Sequence, residues 1–325
     1  MQEKLLIARR QFFGALLVCL AILMAGNLIV QRITAHTVSR RVLEEARAAR
    51  SAEVIALGNS LMRAGFLSEV FADAAGSSSK SSAVNIALGA SSPVEQLLLL
   101  RAGLRTVPNP KLLLYGFYDF QLTDPVIFAN SDIIGNHDIL YYQEPEFARR
   151  YFQMTRYDSA AFEITRHFPM LYERGAVWAK VELLRRSLGQ QGMPAESRNQ
   201  FGRAADFTLL EAKDRAQFEK QCAAVLRAPL NAPVAEIIRE SQEKGVRVVF
   251  ILMPLPPNHV SEFYDAPAWS AYQQHIRQLL EQQNVSYVDA SRWVPAGHGF
   301  GDALHLSQKG AEEFSRRLAT ALRNQ

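Results

Sequence analysis

Residues 53–61 read EVIALGNSL. Positions 54–57 are apolar without alternation, which suits a strand buried on both faces of a parallel sheet. Gly58 and Asn59 break the run, and a helix-like segment begins at Ser60. A serine placed there presents its hydroxyl at the carboxyl edge of a sheet, where α/β proteins open their sites. Four further runs have the same character: 83–88 (AVNIAL), 111–117 (KLLLYGF), 246–253 (VRVVFILM) and 285–289 (VSYVD). Helical patterns separate them. Pro93–Thr106 carries Val94, Leu97, Leu98, Leu100 and Leu104. Val234–Lys244 closes on Gly245, a residue suited to a left-handed cap. Ala311–Arg323 places Phe314, Leu318 and Leu322 at helical spacing. Strands alternating with helices predict a three-layer α/β domain around a parallel sheet, spanning 51–325.

The alternation stops between residues 118 and 233, a stretch dense in aromatics from Tyr141 to Trp178. Helical periodicity returns around 173–188 and 211–227. A connection this long is not a plain loop, so a helical insertion is expected, acting as a satellite core or as a wall of the site. The serine-rich 77–82 reads as a flexible loop.

Residues 12–30, FFGALLVCLAILMAGNLIV, pass without a charge, and Asn27 is their only strongly polar member. Such a helix rises roughly 28 Å, about the thickness of a bilayer's hydrocarbon core. A short tail (1–11) carrying Lys4, Arg9 and Arg10 precedes it. The pattern fits an uncleaved anchor over 12–31 or a secretory signal. The anchor is favoured by the length of the run and the want of a small-x-small cleavage site after it. Arg32, Arg40, Arg41, Arg47 and Arg50 follow in a charged helical stalk over 32–50, so charge alone does not orient the span. Residues 1–50 hold eight basic side chains against three acidic ones, which leaves 51–325 close to neutral. No basic run there resembles a phosphate-binding surface, which argues against nucleic acid as a partner. Cys19 and Cys222 are too differently placed to pair, and no metal-ligand spacing is present.

Serine is a weak nucleophile at neutral pH and needs a base. Near the other end of the chain, Gly301-Asp302-Ala303-Leu304-His305 precedes the last helix. A three-residue spacing lets Asp302 hold one imidazole nitrogen of His305 and leave the other free to deprotonate Ser60. His298 is a rival base ranked second, since no carboxylate precedes it at a favourable spacing; it is also a candidate to line the pocket. Asn59 and Asp119 are further candidates for substrate contact, with helix capping as the alternative for both. Asp289 reads most simply as a polar strand terminus, and 253–259 (MPLPPNH) as a rigid proline turn. His36, His137, His167 and His275 are scattered and receive no role.

These blocks resemble the SGNH, or GDSL-type, hydrolase superfamily. Gly58-Asn59-Ser60 matches its nucleophile block, and Asp302-x-x-His305 its acid–base block. Asn85-Ile86-Ala87-Leu88-Gly89 fits the second block, which implies Gly89 as an oxyanion donor beside the N–H of Ser60. The third block usually reads Gly-x-Asn-Asp; here it is Gly116-Phe117-Tyr118-Asp119, with Tyr118 in place of the donating asparagine. The resemblance covers about 53–117 and 246–322. It implies a flavodoxin-like sheet and acyl-ester chemistry through an acyl-Ser60, with neither metal nor diffusible cofactor. Together with the anchor, it points to the membrane-tethered branch typified by D-alanyl transfer and alginate-type O-acetylation proteins. That likeness implies a domain outside the cytoplasmic membrane. The implied partners are a cell-envelope or exported glycan, an acyl donor and a multi-spanning membrane acyltransferase. The alternative is a non-catalytic scaffold that keeps the fold for glycan or partner binding, which the altered third block favours.

Overall fold

A computed structural model describes residues 2–35, 37–76, 82–123, 139–171, 173, 177, 181, 212–295 and 297–323. The expected loop at 77–82 and helix at 173–188 lie almost wholly outside these residues. The chain forms two compact units, one of 1–41 with 141–194 and one of 42–140 with 195–325.

The larger unit is built on five parallel strands: β1 (Val54–Gly58), β2 (Ala83–Asn85), β3 (Leu112–Phe117), β4 (Arg247–Leu252) and β5 (Ser286–Asp289). Their order is β2-β1-β3-β4-β5. This is the flavodoxin-like arrangement, whose order reverses between β1 and β3. All five lie within the expected runs. β2 is the shortest because Asn85 turns the chain: its side-chain oxygen accepts from the N–H of Ala87, and its amide donates to the carbonyls of Met62 and Phe66. The ladder to β1 nonetheless continues, with the N–H groups of Ile86 and Leu88 donating to the carbonyls of Ala56 and Gly58.

Side chains alternate across the sheet, which sorts the helices into two layers. Tyr115 of β3 faces α5 (Pro93–Thr106), whose Gln96 accepts its hydroxyl. Its neighbour Gly116 faces α3 (Ser60–Gly65), where an added Cβ would stand 2.9 Å from that of Met62. Further helices of this unit include, in chain order, α4 (Ser68–Ala74), α8 (Ala212–Val225), α9 (Ala232–Glu243), α10 (Pro267–Gln282) and α11 (Gln308–Arg323). Pro93 and a capping box of Ser92 with Glu95 start α5, a pattern that S-P-V-E encodes directly. Gly245 follows α9 with φ +71°, as its cap position requires.

The smaller unit contains α1 (Gln2–Thr34), α6 (Pro145–Tyr151), α7 (Arg156–His167) and a 3₁₀ turn, Pro169–Leu171. Within α1, Arg9–Thr34 is long and apolar enough to cross a membrane. The stretch expected as a stalk holds α2 (Val38–Ala48), and it is not a free spacer at its far end. Val42, Leu43 and Ala46 are buried, Glu45 pairs with Arg63, and the Ala46 carbonyl accepts from Thr106.

Candidate active site

The site is assembled at the carboxyl edge of the sheet, beside the reversal of strand order. Gly58 ends β1 with φ +147°, and a Cβ there would lie 2.4 Å from the Gly116 carbonyl oxygen. Only glycine fits that close pairing of β1 with β3. Asn59 then caps α3, its side-chain oxygen accepting from the N–H of Leu61 at 2.9 Å. Ser60 is the first residue of α3, so its own N–H has no carbonyl four residues back within the helix.

His305 Nε2 lies 2.9 Å from Ser60 Oγ. On the other side of the ring, Nδ1 lies 2.9 Å from Asp302 Oδ2. Asp302 Oδ1 also accepts the backbone N–H groups of Leu304 (2.8 Å) and His305 (2.7 Å). Burial pushes the Asp302 carboxyl up, but those two N–H groups and the His305 ring outweigh it and hold it below the ordinary aspartate range. The loop is a closed unit. Phe300 and Leu306 form an antiparallel bridge, and the Gly301 N–H donates to the His305 carbonyl. Phe300 and Leu306 are buried and anchor its ends in the core. α11 follows, and Ser315 ties it to the turn after α3: its hydroxyl accepts from the N–H of Leu67 and donates to the Gly65 carbonyl. The loop bearing the histidine and the helix bearing the serine thus share one packed layer. With Nδ1–H donated to Asp302, Nε2 is the acceptor that can take the proton of Ser60.

Gly89 also reaches this centre, since a Cβ built on it would lie 3.7 Å from that of Ser60. Tyr118 follows β3 directly and is half-buried, but its hydroxyl has no hydrogen-bond partner among the described residues. Burial and the adjacent Asp119 charge both raise its pKa, which keeps it a neutral phenol.

The candidates for substrate contact are differently engaged. The Asn59 amide points inward and donates to Gln121 at 2.7 Å. Asp119, in left-handed backbone at φ +46°, accepts from Tyr264 (2.8 Å) and lies 3.3 Å from His259 Nε2. Tyr264 holds it twice, since the Asp119 N–H donates back to that hydroxyl at 3.1 Å. His259 therefore belongs to the rim of the sheet and not merely to a proline turn. The His298 side chain is exposed, and the residue's bond to the loop is made by its carbonyl, which accepts from Ser307. The imidazole in reach of Ser60 is that of His305. Asp289 ends β5 by accepting from the N–H and hydroxyl of Ser291, as a strand terminus would.

Beneath the turn bearing Ser60 lies a buried polar ladder that the motifs do not announce. Asn59 donates to Gln121, Gln121 donates to Gln96 (3.2 Å), and Gln96 donates to the carbonyl (3.2 Å) and hydroxyl (3.1 Å) of Ser91. Ser91 in turn donates to the Leu88 carbonyl at 2.7 Å, so the chain of bonds runs from the turn bearing Ser60 to the one bearing Gly89. Tyr115 adds a hydroxyl to Gln96 from below. Gln96 is fully buried. A glutamine next to Glu95, at the head of the apolar run 97–100, was the one signal in the sequence.

No known family model matches the chain, nor does any curated protein. Solved structures that it is similar to include a GDSL-like lipase from Bacteroides thetaiotaomicron, at 10% identity and TM-score 0.38, covering 88% of this chain and 97% of that one. A lipase/acylhydrolase from Enterococcus faecalis matches at 12% identity and TM-score 0.35, covering 84% and 96%. A carbohydrate acetylesterase family member from Sinorhizobium meliloti matches at 13% identity and TM-score 0.34, covering 84% and 98%. The α/β fold stands on the strand order and register described above, not on these likenesses.

Proposed function

We propose that this chain is a membrane-anchored serine O-acyl esterase or acyltransferase of SGNH type, acting on an envelope or exported polysaccharide. One observation carries the chemistry: His305 bridges Ser60 and Asp302 with both ring nitrogens at 2.9 Å. In the first half-reaction, Ser60 Oγ attacks the acyl carbonyl while its proton passes to His305 Nε2. The resulting oxyanion is held by the N–H groups of Ser60 and Gly89. Collapse expels the donor's alcohol, which takes the proton from His305 and leaves an acyl-Ser60 ester. In the second half, an acceptor hydroxyl gives its proton to His305 and attacks that ester; collapse expels Ser60 Oγ, which takes the proton back from His305. Water as acceptor makes the protein a hydrolase; a sugar hydroxyl makes it a transferase. The apolar helix α1, ahead of the α/β unit, supports the anchor. The sequence likeness to envelope acylation proteins supports the glycan, the membrane acyltransferase partner and a site outside the cytoplasmic membrane.

The test is turnover of an activated acetyl ester by the full chain in detergent, with and without an oligosaccharide acceptor. Ser60→Ala is expected to lose activity by on the order of 10⁴-fold or more. Acetyl transfer to the saccharide identifies a transferase, and release of acetate alone a hydrolase. A wild-type chain that turns over no ester with either acceptor overturns the proposal in favour of a glycan-binding scaffold.

A further inference from the structure

Asn27, the lone strongly polar residue of the apolar run, has a use in the smaller unit. It is 4% exposed, its amide donates to the His167 carbonyl, and its oxygen accepts from the N–H of Met170, both at 3.3 Å. Beside it, the Met170 methyl stands 3.9 Å from where a Gly26 Cβ would be. Seven residues on, Thr34 donates to Glu173, which also accepts from Arg40 Nε at 3.0 Å. Residues 167, 170 and 173 are thus pinned along the end of α1. The charged pair lies at the level of Thr34. The turn Pro169–Leu171 lies about 10 Å further in, at 1.5 Å per helical residue. If α1 spans a bilayer, that turn sits below the level of Arg32, the first charge after the apolar run. Backbone at such a depth must be satisfied by protein, which Asn27 does.

A segment held at that depth should show lipid an apolar surface, and this one does. On α7, Tyr157, Ala160, Ala161 and Ile164 are all exposed and follow i, i+3, i+4, i+7 spacing, so they form one stripe. Tyr157 is 88% and Ile164 55% exposed, and the turn adds Leu171 at 46%. The opposite side of the helix is spent on protein. Phe162 packs on Tyr142 at 4.9 Å, and Glu163 pairs with Arg149 and Arg166. An apolar stripe of this kind in water marks an interaction surface. Here the segment that carries it is tied to the apolar helix α1 through Asn27 and Thr34.

We infer that residues 157–171 are a second membrane element, seated in the interfacial layer of the leaflet where α1 ends, with bilayer lipid as its partner. Tyr157 suits the headgroup level, and Ile164 and Leu171 the acyl boundary. The inference rests on α1 being a membrane span, and its test separates the two. The full chain in a Cys19→Ala background is reconstituted into phosphatidylcholine–phosphatidylglycerol vesicles. An environment-sensitive fluorophore is placed singly through Ile164→Cys, Leu171→Cys, Leu17→Cys on α1 or Gln282→Cys on the exposed end of α10. The labelled side chains are exposed or lie in the apolar run, so packing is left in place; Cys222 is buried. Labels at 164 and 171 are expected to shift to the blue and be quenched by nitroxide on lipid tails, as at 17, whereas the label at 282 is quenched by aqueous iodide. Lipid quenching at 17 with iodide quenching at 164 and 171 overturns the inference and leaves the anchor standing. Iodide quenching at 17 as well overturns both.

Discussion

Replacing Gln96 with leucine keeps the volume of the side chain and removes the centre of the ladder under Ser60. Gln96 accepts from Tyr115 and Gln121 and donates twice to Ser91, all within the core. Leucine leaves the Tyr115 hydroxyl and the Gln121 amide as buried donors without their acceptor. Each such group costs about 1–3 kcal/mol, so Gln96→Leu is expected to destabilise the α/β unit by about 4 kcal/mol. For a unit of this size, 1 kcal/mol moves the midpoint by about 2–4 °C, so the melting temperature should fall by on the order of 10 °C. Thermal unfolding of the detergent-solubilised chain, followed by near-ultraviolet circular dichroism, measures this. Tyr115→Phe removes one of the two stranded donors. The double variant should therefore be more stable than the sum of the single losses, by about 1–3 kcal/mol. A Gln96→Leu protein that melts with the wild type, or a strictly additive double variant, would refute the view that this ladder holds the two turns of the site.

Three further outcomes follow from the geometry. Gly58→Ala forces a Cβ to 2.4 Å from the Gly116 carbonyl in a backbone conformation of φ +147°, and should cost at least about 3 kcal/mol or prevent folding, read from the same melts or from soluble yield. Asp302 is held below its ordinary value near 3.9, so its contribution to stability is complete above about pH 4 and is lost as pH falls through the lower folded value. The melting-temperature gap between wild type and Asp302→Asn should accordingly narrow as pH falls below the ordinary aspartate value, and a constant gap would count against the loop geometry. Cys222 is buried, and desolvation, aided by the charges of Asp119 and Glu219, pushes its thiol up to about 12. Iodoacetamide at pH 8 should therefore leave Cys222 unmodified in the folded chain and reach it only after denaturant is added, as read by peptide mass spectrometry.

The strands were legible because a parallel sheet covered on both faces needs continuous apolar runs, and five such runs recur between helical patterns. The Asp302–His305 pair was legible because three residues of spacing confine two side chains to one turn. Its approach to Ser60, 245 positions away, was not, since only the packing of α11 against the turn after α3 brings the loops together. Asn59 illustrates the opposite case. Beside Ser60 it reads as either a substrate contact or a helix cap, and its oxygen caps α3 while its amide feeds the ladder. Gln96, Gln121 and Tyr115 were hidden because they come from a helix, a loop and a strand with no fixed spacing among them. The role of Asn27 was hidden for the same reason: its partners lie 140 and 143 residues on.

The central claim is that Ser60 is a nucleophile activated by His305, and covalent capture tests it without any knowledge of the substrate. The full chain is treated with a fluorophosphonate, digested, and the modified residue located by mass spectrometry. A single adduct on Ser60 is expected, absent in Ser60→Ala and slowed by several orders of magnitude in His305→Ala. A wild-type chain that stays unlabelled, or an adduct that persists when Ser60 is alanine, would contradict it.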